Sequence, residues 1–227
     1  MIASVHIADV GARSALAITR KAPAPGSIAG LRNAQVGLAA PLSSSVLPSV
    51  QFGRATLAAF WDDDAALDRF LAADPLAAKF ASGWRVRLAP LRAYGSWPGL
   101  PETVPSERKV DHEGPVAALT MGRLMASQAI RFLRTSAKAE ASVLQAAGVI
   151  WATGFARPPS FVATCSLWES TRALSTYAFG HSDPGHPDAI ATGEAKAFHK
   201  QQAFIRFRPY DSHGSLGGKN PLAAAWA

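Results

Sequence analysis

The sequence is poor in cysteine: Cys165 is the one thiol in 227 residues. An internal disulfide is therefore excluded. Long apolar runs are missing as well, since no stretch approaches the roughly 18 uninterrupted apolar residues of a membrane-spanning helix. The opening residues Met1-Ile2-Ala3-Ser4-Val5-His6-Ile7 lack a basic start followed by an apolar run and a cleavage site. The expectation is a cytoplasmic chain, with peripheral membrane contact left open. Also absent are a phosphate loop, a nucleophile elbow, a zinc-ligand set and a dinucleotide fingerprint, which sets those enzyme classes aside. The excess of 23 Lys+Arg over 16 Asp+Glu gives a formal charge of +7. These basic residues are scattered singly, as at Arg54, Arg92 and Arg134, so they form no stripe for nucleic acid. The charge reads as solubility together with an anionic ligand.

What is present is ample apolar material, 48% of residues, enough to bury a core, and an internal repeat. Val86-Arg87-Leu88-Ala89-Pro90-Leu91-Arg92-Ala93-Tyr94-Gly95-Ser96-Trp97-Pro98-Gly99 aligns with Ile205-Arg206-Phe207-Arg208-Pro209-Tyr210-Asp211-Ser212-His213-Gly214-Ser215-Leu216-Gly217-Gly218. Arg87/Arg206, Pro90/Pro209, Gly95/Gly214, Ser96/Ser215 and Gly99/Gly218 share one offset of 119. Upstream, strands ending in Trp and an acid recur at Trp61-Asp62 and Trp168-Glu169, now 107 apart. Twelve extra residues therefore lie in the second copy, and the Gly- and Pro-rich stretch Phe179 to Asp188 is where they fit.

Period and punctuation predict strand 3–10, helix 12–22, strand 32–40, strand 54–61, helix 63–81 and strand 84–93 in the first copy. The second reads as strand 115–123, helix 126–147, strands 148–156 and 160–168, helix 170–179, a helical piece near 187–199 and strand 202–210. This is β-α-β-β-α-β twice, an α+β fold of two tandem ferredoxin-like repeats whose sheets face each other in a dimeric α+β barrel-like arrangement. Residues 1–100 form the first repeat, 101–113 a surface linker, and 114–227 the second repeat with a histidine-bearing insertion.

Six histidines are candidates for chemistry: His6, His112, His181, His186, His199 and His213. Any one alone reads as structural or solvent-exposed. His181 and His186 stand apart because they fall in the insertion, where a grafted site is expected on loops held by a scaffold. Their spacing, interrupted by Pro184 and Gly185, does not set both on one helix face. One ligand with a distal partner suits it better than a paired-histidine metal site. Cys165 alternates with Phe161, Ala163 and Leu167, which favours a small core residue over a thiolate ligand. Arg206 and Arg208 share a strand face with Phe204. They are either a solvated edge or a pair of guanidiniums holding a cofactor carboxylate, and the recurrence of Arg206 as Arg87 gives it a partly architectural role.

On Thr164-Cys165-Ser166-Leu167-Trp168, Gly185-His186 with Ala189-Ile190, Phe204-Ile205-Arg206-Phe207-Arg208, and Gly214-Ser215-Leu216-Gly217-Gly218-Lys219-Asn220-Pro221-Leu222, the chain resembles the spheroidene monooxygenase family. The family oxygenates acyclic carotenoids, and the resemblance covers about residues 54–100 and 114–222. It implies a dimeric α+β barrel, haem b as cofactor, dioxygen as co-substrate, ferredoxin as electron donor, and an apolar substrate in a cleft between the two sheets. The family's histidine falls on His186, the implied axial ligand and iron-binding residue. Arg206 and Arg208 become propionate partners, and His181 and His199 the distal, catalytic candidates. His199 stands in Phe198-His199-Lys200-Gln201-Gln202, where the family has an aromatic pair followed by two acids, and Leu216 replaces a favoured tryptophan. Two other readings are a haem enzyme of another reaction type, like the aldoxime dehydratases, and a non-catalytic binder of haem or an apolar ligand.

Overall fold

Strand alternation with both faces apolar or small dictates that the sheet be covered on each side. Along β1 (Ile2–Asp9), Ala3, Val5 and Ile7 face one way and Ser4, His6 and Ala8 the other, and all six are buried. β3 (Gln51–Trp61) repeats this, with Ala58 and Phe60 opposed to Leu57, Ala59 and Trp61. The computed structural model describes residues 1–43, 45, 49–107, 109–179 and 198–226. The first half continues with α1 (Ala12–Arg20) after β1, then β2 (Leu31–Ala40), and, after β3, α2 (Asp64–Ala73), α3 (Pro75–Phe80) and β4 (Trp84–Gly95).

The single helix expected over 63–81 is two helices. Pro75 disfavours helical backbone at the residue before it, and Asp74 is extended at φ −84°, ψ 130°. Its carboxylate then accepts from the Leu76 amide at 2.7 Å and opens α3, with Pro75 in the first turn where its missing N–H costs nothing.

The second half comprises β5 (Val116–Leu124), α4 (Ala129–Gln145), β6 (Val149–Arg157), β7 (Phe161–Trp168), α5 (Thr171–Phe179) and β8 (His199–His213). A tighter 3-10 turn at Ala126–Gln128 replaces the start of the helix expected from 126. The helical piece expected near 187–199 lies outside the described residues up to 197. Its end is corrected, because His199 opens β8 and pairs with Leu124. β8 outruns the expected 202–210 because it hydrogen-bonds on both sides, to β5 and to β4, and so gains ladder partners along its whole length.

All eight strands close into one antiparallel barrel in the order β1-β3-β2-β6-β7-β5-β8-β4. Each half contributes the same ferredoxin-like order, β4-β1-β3-β2 and β8-β5-β7-β6. The halves therefore join edge to edge rather than as two stacked sheets, which leaves no unpaired sheet edge between them. The β4–β8 seam runs from Arg85↔His213 to Gly95↔Ala203, whereas the β2–β6 seam is confined to Leu38↔Ala156, Ala39↔Phe155 and Ala40↔Gly154. At the short seam a Cβ on Gly37 would stand 2.9 Å from the Ala156 carbonyl oxygen, so glycine permits the approach.

The barrel interior is packed with apolar side chains. Phe60, Trp84, Met121, Phe155, Phe161 and Phe207 fill it, and Trp97 and Val104, on either side of Gly99, pack into the same cluster. The expected apolar cleft between the sheets is therefore occupied by side chains. A cavity of about 250 Å³ sits at one barrel end, lined by Ile7, Gln51, Arg54, Trp151, Thr153 and Leu216 among others. Among the described residues, no helix is long and apolar enough to cross a membrane.

Candidate functional site

The two halves differ on the outside of the barrel. In the first, α1, α2 and α3 seal the outer face: Ala55, Leu57, Ala59 and Trp61 on β3 and Ser4, His6 and Ala8 on β1 are all buried. In the second, register places Ala118, Thr120 and Gly122 of β5 where the first half has Ser4, His6 and Ala8. It likewise places Val162 and Thr164 where the first half has Ala55 and Leu57. Ala118, Thr120, Val162 and Thr164 are only half-buried, and Phe204 beside them on β8 is 41% exposed. The result is a trough floored by small side chains on the outer face of the second half, with α4 and α5 on that side of the sheet.

The charges differ in the same way. Arg87 on β4 sits beneath α2, where its Nη1 meets Asp64 at 2.7 Å, its Nη2 meets Asp68, and its Nε stands 3.0 Å from Asp211 across the β4–β8 seam. Desolvation acts to lower its pKa, but the Asp68 and Asp64 carboxylates outweigh it and raise the value. Arg206 holds the corresponding place on β8. Thr171 and Ser175 take the α5 positions that Asp64 and Asp68 hold on α2, and Arg92 is its partner across the seam where Arg87 has Asp211. Arg206 is 7% exposed, donates from Nη1 to Ser175 Oγ at 3.0 Å, and lies 6.0 Å from the centre of the Phe179 ring. Among the described residues it has no carboxylate. Burial, and then the Arg92 charge, hold its pKa below the usual guanidinium value, yet a guanidinium stays protonated in a protein. Arg208, by contrast, is exposed and lies over the Tyr210 ring at 5.8 Å. The two arginines paired in the sequence reading thus occupy different surroundings.

His199 stands at the other end of this face. Its ring meets Phe132 of α4 edge-on at 5.3 Å and packs over Gly122, where any Cβ would run into the imidazole. Phe198 is buried beside it, with the Arg131 guanidinium 4.3 Å from its ring centre. Burial holds the His199 pKa below 6.5 against the opposing effect of a Gln202 hydrogen bond, so the ring is neutral at pH 7. Seven steps of roughly 3.3 Å each separate His199 from Arg206 along β8, a span of about 23 Å. They mark two ends of one trough rather than a single contact.

His181 and His186 lie outside the described residues. Cys165 is fully buried in the barrel interior, and desolvation pushes its thiol up to about 12, as befits a packing residue. His112 Nε2 donates to the Pro115 carbonyl while its own carbonyl accepts from Thr171 Oγ1, and His213 is exposed beside Asp211. Among the described residues no three His, Cys, Asp or Glu side chains converge on a point that could hold a metal ion. The sequence reading passed over Ser175, Arg92 and Gly122. The offsets of 107 and 119 already placed Ser175 on Asp68 and Arg92 on Asp211, so their signal was the change of charge between aligned positions.

This architecture, two ferredoxin-like halves closed into one α+β barrel, is shared with solved aldoxime dehydratases. One has a TM-score of 0.55 at 12% identity, covering 92% of this chain and 81% of that one. A second, solved with butyraldoxime, has a TM-score of 0.53 at 11% identity, over 92% and 79%. At these identities the likeness is one of fold. No protein-family model matches the chain.

The sequence itself is similar to two proteins named spheroidene monooxygenase. That of Rubrivivax gelatinosus is 33% identical over 171 residues, 73% of this chain. That of Rhodobacter capsulatus is 28% identical over 141 residues, 61% of this chain. The matches span 64% and 58% of those relatives' lengths, less than two thirds of each. The resemblance read from the motifs is thus found over most of the chain.

Proposed function

We propose that this chain is a haem-dependent monooxygenase of the spheroidene monooxygenase kind, inserting one oxygen atom of dioxygen into a carotenoid or a similarly apolar molecule. The observation that carries the reading is the 33% identity over 171 residues to the Rubrivivax gelatinosus spheroidene monooxygenase. Ferredoxin is the electron donor, and an apolar substrate is reached through peripheral contact with a membrane. We take the duplicated strand order to reflect a tandem repeat, with the second copy modified for function.

The described residues fit a haem at the trough of the second half. Ala118, Thr120 and Thr164 offer a floor without bulky side chains, and Arg206 is a buried cation lacking a carboxylate partner among the described residues. When bound, haem supplies the site for dioxygen binding and activation, which no side chain provides. His186 is the residue that would hold the haem iron, and Arg206 and Arg208 would be partners for the haem carboxylates. His181 and His199 are the distal candidates. Of these, His199 is a neutral imidazole that can accept and return a proton at its ring nitrogen. The rings of Phe132 and Phe198 pack edge-on beside it.

Protein purified after expression with ample haem is expected to show a Soret band, and His186→Ala to abolish it. An unchanged band in that variant removes His186 as ligand, and colourless wild-type protein removes the haem reading.

A further inference from the structure

We propose that Arg206 is the base of a binding site for the carboxylate head of an otherwise apolar ligand, made by removing the counterions that its counterpart Arg87 retains. At Arg87 carboxylate oxygens accept from Nη1 and Nη2, and a third carboxylate, that of Asp211, stands 3.0 Å from Nε without hydrogen-bond geometry. At Arg206 all three positions have changed together. Asp64 corresponds to Thr171, Asp68 to Ser175, and Asp211 to Arg92. Two negative charges have become neutral hydroxyl side chains and one has become positive, around a guanidinium that is 7% exposed.

Among the described residues Arg206 has no counterion, and a buried cation in that state is costly to hold. Among the described residues its side-chain hydrogen bond is to Ser175 Oγ, which leaves other N–H donors of the fork for an acceptor. Since carboxylates occupy the equivalent atoms at Arg87, the ligand group that fits is a carboxylate, taken by the planar fork. The rest of the ligand is apolar, because the flanks are aromatic. Phe204, 41% exposed, lies two residues along the same strand face. Its ring is 6.3 Å from that of Tyr94, which is 60% exposed, and Phe179 lies on the α5 side. The carboxylate comes either from haem, in which case the proposal rests on the haem reading, or from a free amphipathic acid, in which case it does not.

Ser175→Asp is the informative variant, because it restores the carboxylate that Asp68 gives Arg87 and so satisfies Arg206 without a ligand. Thermal unfolding of the full chain would be followed with sodium propionate or sodium hexanoate, against sodium chloride at equal ionic strength. Wild type is expected to gain melting temperature with the carboxylates, more with hexanoate. Ser175→Asp is expected to melt higher than wild type without ligand and to gain nothing. Absorbance titrations with haem and with haem dimethyl ester separate the sources. If haem supplies the carboxylate, Ser175→Asp weakens haem at least about tenfold and leaves the diester unchanged. A carboxylate response lost in Ser175→Asp in a protein that takes up no haem supports the site and removes the haem reading. Equal responses of wild type and Ser175→Asp to the acids, with equal haem affinity, overturn the site while leaving the haem reading intact.

Discussion

His6 illustrates how one residue's surroundings fix its proton. On the sealed outer face of the first half, Trp61 Nε1 donates to Ser4 Oγ at 2.9 Å, and Ser4 Oγ is 2.9 Å from His6 Nε2. The one Ser4 hydroxyl thus bonds to both rings. Burial, reinforced by the charges of Arg85 and Arg87, lowers the His6 pKa from 6.5 to about 3. Below pH 6.5 the unfolded chain therefore binds a proton that the folded chain refuses. The stability from neutral His6 is complete above 6.5 and is lost as pH falls towards 3, by about 1.4 kcal/mol per pH unit. His199, also lowered, contributes with the same sign. Urea unfolding at pH 7, 6 and 5 measures the slope, and His6→Gln, which does not titrate, is expected to flatten it. A variant with the wild-type slope would place the acid sensitivity elsewhere.

Among elements, α2 and α5 are built to the same plan and charged differently. α2 starts from Asp63, whose carboxylate accepts from the Ala66 amide at 2.8 Å, and presents Asp64 and Asp68 to Arg87. α5 starts from Ser170, whose hydroxyl accepts from the Ala173 amide at 3.1 Å, and presents Thr171 and Ser175 in the same positions. The caps satisfy amide donors at both helix starts, so the loss of carboxylate from α5 is not required by helix formation. The break between α2 and α3 depends on Asp74, which caps α3 while Ala77 and Phe80 bury their side chains against the sheet-facing core. Asp74→Ala is expected to cost about 1 kcal/mol, read as a lower urea midpoint at unchanged m-value. A midpoint equal to wild type would mean that Pro75 alone sets the helix start.

At the scale of the molecule, closure couples the halves. β8 bonds to β5 on one edge and to β4 on the other, and β2 meets β6 at the second seam. Trp84 of the first half packs on Trp151 of the second at 5.2 Å within the common interior. Neither half can leave without exposing that core and a sheet edge. Calorimetry is therefore expected to show one transition whose calorimetric and van't Hoff enthalpies agree. Two resolved transitions would show that the seams do not couple the halves. The same closure bears on where a ligand can go: the interior is packed, and among the described residues the outer strand face of the second half is less covered than that of the first.

The amino-acid sequence by itself determined the strand and helix alternation, the repeat with its offsets of 119 and 107, and the residues of the family resemblance. These are local or periodic properties, carried by alternation, capping and turn residues along the chain. It gave His199 as a candidate but placed it in a helix, because its pairing with Leu124 is between residues far apart in sequence. The edge-to-edge closure, the filled interior and the loosely covered second face are non-local, set by which edges pair and which helices reach the sheet. The contrast of Arg87 with Arg206 needed both. The offsets identify the exchanged residues, and only the tertiary structure shows that one guanidinium is surrounded by carboxylates while the other is buried beside a hydroxyl and faces a second arginine across the seam.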